Sequence, residues 1–202
     1  MDQAQVFASS IQEERVTWIL DQKGDEMNPS NAGDRPENLL QVGSYTQGLL
    51  EELLDLVDSS DQVVGRKSRA EIYAEKLSCY RAINGFVVNQ GGQLWIPRRA
   101  PRAIIFPLCL DMSVGGHVRS GETYEEAFRR ELKEELDFDL SQFVYQELGY
   151  LHPHQDNVSS FMKVYEIQAD EVSHYNRNDF IEFYWLTPGE LMERIKDGDQ
   201  VK

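Results

Sequence analysis

The sequence predicts an α/β (α+β) domain built on a mixed β-sheet with helices packed on it, behind an N-terminal extension of different character. Three observations lead there. From about residue 48 strand-like and helix-like segments follow one another without the regular strand–helix–strand units of a doubly wound sheet. Two pairs of strand-like runs are separated by short turn-rich links, the pattern of antiparallel hairpins. A capped amphipathic segment from Thr123 to about Leu136 carries one apolar stripe, which a sheet has to cover.

Taken in order, residues 1–47 form the extension. IQEERVTWILDQ (residues 11–22) fits one short amphipathic helix, and DEMNPSNAGDRPEN (25–38) reads as a loop. The domain proper is expected over 48–202. LLDLVD (53–58) and QVVGRK (62–67) make a first hairpin, and SRAEIYAEKL (68–77) a helix with Ser68 as its N-cap. AINGFVVN (82–89) and QLWIPRR (93–99) make a second hairpin through the turn Gln90–Gly92. Beyond the Thr123 helix, LGYLH, SSFMKVYEI and IEFYWL read as strands, with Trp95 and Tyr184 as packing residues. PGELMERIKDG closes the domain as a helix with Pro188 in its first turn.

Composition excludes several classes. The longest apolar run, AIIFPLCL (103–110), is far short of the ~20 residues a membrane span needs. The N-terminus lacks the basic start and apolar stretch of a secretory signal, and Cys79 and Cys109 are read as reduced thiols, so a cytoplasmic protein is expected. The formal net charge of -15 opposes binding to long nucleic acids, whose affinity comes from phosphate neutralisation. Between Val64 and Arg102, however, eight basic residues face two acidic ones. A small anion finds partners there, Arg99 and Arg102 among them; the alternative is a solvated basic face.

The Thr123 helix carries the chemistry. TYEE is a capping box, Phe128, Leu132 and Leu136 form the buried stripe, and Glu131, Glu134 and Glu135 occupy the adjacent edge. Like charges three and four apart repel. Such a cluster is relieved by sharing protons or by a hard divalent cation such as Mg²⁺. The Gly115–Gly116 pair upstream lets backbone approach the same edge closely. On the glutamates alone, a solvated acidic face remains the other reading.

The spacing settles more. Gly116, five residues, Glu122, seven residues, then Arg130-Glu131-Leu132-Lys133-Glu134-Glu135-Leu136-Asp137-Phe138 resembles the Nudix box, GX5EX7REUXEEXGU with U apolar, at every defined position but one. Its six fixed polar or glycine positions coincide by chance in such a chain about once in 10⁵, so the motif is specific. The departure is Asp137, where the box has a glycine in a left-handed turn, a conformation Asp tolerates better than most residues.

The resemblance implies a Nudix α/β/α sandwich that hydrolyses a nucleoside diphosphate linked to another group. Carried over by position, Glu131, Glu134, Glu135 and the Gly115 carbonyl would hold Mg²⁺ or Mn²⁺, while Arg130 and Glu122 orient the box. Glu131, or Glu182 outside the box, would act as general base. Arg99 and Arg102 would bind the substrate phosphates. A homodimer is as compatible with the resemblance as a monomer.

Residues 53–195 further resemble the branch containing type I isopentenyl-diphosphate isomerase, through LLDLVDSSDQVVGRKSRAEIYAEKL and FPLCLDMSVGGHV. That isomerase carries a catalytic cysteine just before the Gly-His pair. Here the position is Gly115, and Cys109 lies six residues too early, so hydrolysis is the expected reaction and isomerisation the alternative. His117 is then expected to serve as a hydrogen-bonding residue, and His152 and His154 as polar surface. A box retained for nucleotide binding without turnover is the third reading, which three intact glutamates argue against.

Overall fold

The structure is a computed structural model and describes residues 51–103, 105–156 and 158–202. The expected helix at 11–22, the loop at 25–38 and the boundary of the extension lie outside the described residues. The first hairpin forms as expected, from β1 (Leu53–Val57) and β2 (Val63–Ser68). The Asp58 side chain accepts from the N–H groups of Ser60 and Gln62 to close its turn. Helix α1 (Arg69–Ala74) follows from the Ser68 cap but is shorter than its sequence pattern, ending ahead of Lys76 at φ 53°. Leu54 and Ile72 are fully buried between hairpin and helix, against Tyr80.

The main sheet is organised about β3 (Arg81–Val88). One edge of β3 pairs along its whole length with β7 (Phe161–Gln168), in parallel. Its other edge is shared: β5 (Val114–His117) pairs antiparallel with residues 82–85, while β4 (Leu94–Arg99) meets it only at Val88. β6 (Tyr145–Leu151) adds to β7 and β8 (Phe180–Leu186) to β4, both antiparallel, so the sheet is mixed as the sequence implied. Where β4 diverges from β3, the fully buried Ser113 hydroxyl bridges the gap. It accepts from Val87 N–H at 2.8 Å and donates to the Trp95 carbonyl at 2.6 Å. Ser113→Ala leaves both backbone groups buried without that partner. It is expected to destabilise by about 1–3 kcal/mol, lowering Tm by about 2–4 °C per kcal/mol in thermal unfolding.

Alternation along β3 sorts the core into two layers. Ile83 and Val87 face α2 (Tyr124–Leu136), whose Phe128, Leu132 and Leu136 are buried and whose Phe128 ring stacks on Tyr165 at 4.2 Å. Phe86 and Val88 face the opposite side, toward Leu191 of α3 (Pro188–Lys196). Helices on both faces of a mixed sheet make the α/β/α sandwich. α2 and α3 each begin with a Thr–Glu capping box, and α2 ends on Asp137 at φ 57°, the left-handed turn expected of a residue standing in for glycine.

Candidate active site

The amphipathic register of α2 sets where its glutamates lie. With the 128/132/136 stripe buried on the sheet, residues 131, 134 and 135 project along the helix edge that meets β5. The Gly115 N–H donates to Glu135 Oε2 at 3.1 Å, which turns that N–H away from its β3 partner Asn84. In a strand the N–H and C=O of one residue share an edge, so the Gly115 carbonyl also faces the glutamate side. Gly116 is required for a separate reason. A Cβ there would overlap the Glu131 carboxyl group, well inside van der Waals contact. The backbone and the carboxylate occupy space that any side chain would fill.

Arg130 organises the rest. It forms a two-nitrogen clamp on Glu122 (2.8 and 2.9 Å), donates to Glu131 Oε1 at 2.6 Å and caps the His117 carbonyl at 2.9 Å. The i,i+4 spacing suggests Glu134 as its partner, but that contact is only 3.5 Å and long. The planar guanidinium is better matched by the two oxygens of Glu122, which also accept Arg119 N–H. Burial pushes the Glu122 carboxyl up, yet the Arg130 and Arg119 hydrogen bonds outweigh it and hold the group below the ordinary range. For Glu131 burial wins over Arg130, and its pKa is raised to about 7. Glu135 is pushed well above the ordinary carboxylate value by burial, then by Glu131 and Asp111. Glu134 is exposed and borders Arg119 at 3.6 Å.

Other expected residues lie elsewhere. Arg99 is bound to Asp111 at 2.5 Å and to the Ile105 carbonyl, and Arg102 to Asn178, so neither guanidinium bonds to α2. They flank the site indirectly. Asp111 also pairs with Lys202, whose Nζ lies near Gly115, and the Asn176 N–H of the Arg102-bound loop donates to the Glu135 carbonyl at 2.7 Å. Glu182 accepts from Arg98 at 2.7 Å and from Tyr184 at 2.6 Å. It shares the α3 side of β8 with Tyr184 and Leu186, opposite to α2. His117 accepts or donates at 3.1 Å with the Tyr73 hydroxyl and stacks on Tyr80; burial, then Arg69, Lys202 and Arg130, hold it neutral. The His152 ring contacts His154 and the Ser59 carbonyl. Trp95 is fully buried core.

Among the described residues no three His, Cys, Asp or Glu side chains converge on one point. The α2 carboxylates lie along one edge, Glu131 bound by Arg130, Glu135 by the Gly115 N–H, and Glu134 loosely paired with Arg119 and Arg130. Their chemistry nevertheless fits a hard dication. They are acceptor-only oxygens with a backbone carbonyl on the same edge, and two of them sit where the ionised form is costly without a cation. Sequence reasoning passed over Lys202, Asp111, Glu52 and Arg119. Only Arg119, inside the motif's variable stretch, stood where a signal was available.

Comparison with known proteins shows which family the chain belongs to. Residues 80–202 match the NUDIX domain family. An uncharacterised Nudix hydrolase of Nostoc sp. (strain PCC 7120) is 57% identical over 151 residues, 75% of this chain and 89% of that protein. A crystal structure from Deinococcus radiodurans superposes with a TM-score of 0.71 at 46% identity, covering 75% of this chain and 93% of that one. Similarity extends to an isopentenyl-diphosphate Delta-isomerase of Photorhabdus laumondii, 33% identical over 136 residues, 62% of this chain and 76% of that protein. The chain belongs to the Nudix hydrolase family, whose members hydrolyse diphosphate-containing substrates.

Proposed function

We propose that the protein is a Mg²⁺- or Mn²⁺-dependent hydrolase that cleaves the diphosphate bond of a nucleoside diphosphate linked to another group. The observation that carries this reading is the seating of Glu131 and Glu135 against Gly116 and Gly115, a cradle that a side chain at residue 116 would fill. Glu131, Glu134, Glu135 and the Gly115 carbonyl would hold the cation, which when bound supplies charge neutralisation for the phosphates and acidifies an attacking water. Arg130 and Glu122 keep the carboxylate edge aligned. Glu131, beside the cradle, takes the proton from water. Glu182 is engaged by Arg98 and Tyr184 on the other face, which favours Glu131 as the base.

The isomerase alternative needs a thiol at residue 115. Gly115 has no side chain to supply one, so hydrolysis is favoured. Product release over a panel of nucleoside diphosphate derivatives, with isopentenyl diphosphate included, tests the reading. Mg²⁺-dependent hydrolysis of a nucleotide member is expected, and isomerised isopentenyl diphosphate would overturn it. A reducing, cytoplasmic setting is part of the same proposal, in keeping with two free cysteines. No helix among the described residues is long and apolar enough to cross a membrane.

The raised carboxylates give a second expectation. A folded-state pKa above the ordinary 4.5 contributes stability that is complete below about pH 4.5 and is lost as pH rises through about 7 for Glu131. At about 1.4 kcal/mol per pKa unit, Glu131 costs the metal-free protein about 3–4 kcal/mol across that window. A dication that favours the ionised pair reverses the loss. Calorimetry should therefore show a Tm gain from Mg²⁺ that is larger at pH 8 than at pH 5; an equal gain at both would argue against cation binding at these carboxylates.

A further inference from the structure

Three of the arginines around the site are bound by protein groups, Arg130 through all three of its nitrogens and Arg99 and Arg102 through two each. Arg130 uses Nε and both terminal nitrogens on Glu122, Glu131 and the His117 carbonyl, Arg99 is held by Asp111 and Ile105, and Arg102 by Asn178. Arg119 differs. It stands in the link between β5 and α2, and its side chain is 38% exposed against 15% for Arg130. Its Nε is fixed by Glu52 Oε1 at 2.6 Å. Its NH1 reaches toward Glu134 at 3.6 Å, beyond a good hydrogen bond, and among the described residues NH2 has no acceptor. One nitrogen is anchored and two are presented at the rim of the carboxylate edge.

The anchor belongs to the β1–β2–α1 unit, which precedes the residues matched by the family. Glu52 immediately precedes β1, and its own carbonyl accepts Arg69 N–H at 2.8 Å. The neighbouring backbone continues the grip: Leu53 accepts Ser120 N–H, Leu54 bridges to Arg119, and the Asp55 carboxylate takes the Ser120 hydroxyl at 2.6 Å and Gly121 N–H at 3.0 Å. This unit therefore clamps residues 119–121 from outside and fixes the Arg119 backbone and side chain together. Such a constraint matters because a guanidinium held at Nε projects its terminal N–H groups in one fixed direction, the geometry that phosphate oxygens match.

We propose that Arg119 is a substrate-contacting residue that donates its outward N–H groups to the diphosphate of a substrate lying across the α2 carboxylates, and that Glu52 is the residue that positions it. The assignment rests on the reading of the site as a diphosphate hydrolase. A diphosphate approaching three glutamates gains from positive charge beyond that of the cation, and among the described residues Arg119 borders that edge, through Glu134, with terminal donors not held by a close protein acceptor. Glu134, at 3.6 Å, is a loose partner that a phosphate oxygen at hydrogen-bond distance displaces.

The test is calorimetric binding of Mg²⁺ with methylenediphosphonate, a non-hydrolysable diphosphate, alongside Mn²⁺ binding alone. Arg119→Ala is expected to weaken diphosphonate binding about 10–100-fold, as for loss of charged hydrogen bonds, and Arg119→Lys to recover part of it. Glu52→Gln should weaken binding about 3–10-fold, and in the double variant add little to Arg119→Ala, because its side-chain hydrogen bond goes to that guanidinium. Mn²⁺ affinity without diphosphonate should be unchanged or tighter in Arg119→Ala, which separates a lost substrate contact from a collapsed site. Wild-type affinity for the diphosphonate in Arg119→Ala would overturn the assignment. So would an equal loss of Mn²⁺ affinity, and full additivity of the two substitutions would remove Glu52 from its positioning role. A wild-type protein that binds no diphosphonate with Mg²⁺ would instead overturn the reading of the site itself.

Discussion

Replacing Glu135 by Gln is expected to lower Mg²⁺-dependent diphosphate hydrolysis by at least about 10²-fold while leaving the metal-free protein as stable as before, or more stable. The two effects separate because they act on different states of the carboxyl group. Burial, Glu131 and Asp111 already make the ionised form of Glu135 costly, so a neutral amide relieves repulsion in the folded chain. The amide oxygen still accepts the Gly115 N–H now bound at 3.1 Å, which keeps the helix seated on β5. What is lost is a charged donor for a cation. Activity assays and thermal unfolding on the same preparation check both halves. A parallel fall in activity and Tm would mark Glu135 as a packing residue.

Gly116→Ala is expected to be nearly as damaging, from one added methyl group. The new Cβ overlaps the Glu131 carboxyl, so Glu131 must leave its position and Arg130 loses its 2.6 Å partner. A misplacement of about 1 Å in a catalytic group costs about 10²-fold in rate, and overpacking costs about 1–3 kcal/mol in stability. Gly149→Ala, where a Cβ meets nothing within 4 Å, is the control and should change stability by less than about 0.5 kcal/mol. Comparable kinetics in the two variants would mean that close backbone approach at Gly116 is not what seats the carboxylate.

How far the sequence reaches depends on how local the information is. Helix α2 was legible to within a residue because its capping box, its 128/132/136 stripe and its glutamate edge are all short-range patterns. Strand β5 was not, because Gly115 and Gly116 have poor strand propensity. Its strand character comes from pairing with β3, more than 30 residues back in the chain by the registered pairs Asn84–Gly115 and Ile83–Gly116. The same limit explains the partners. Spacing along α2 pointed Arg130 at Glu134, whereas the link from β5 brings Glu122 to it. A carboxylate at Glu182 is visible in the sequence, but the parity of β8 that turns it toward Arg98 and α3 is set by the sheet register. Glu52 carries no motif at all, and its contact with Arg119 arises only when the first hairpin docks on the link before α2.

The most direct test of the account is a Mn²⁺ titration followed by electron paramagnetic resonance, comparing the wild-type protein with the Glu131→Gln/Glu135→Gln double variant. The account predicts that the wild-type protein binds Mn²⁺ and that the double variant binds it at least about tenfold more weakly, with its fold intact by circular dichroism. Equal Mn²⁺ affinity in the two proteins, or none in the wild type, would contradict the claim that the glutamate edge of α2 is a divalent-cation centre.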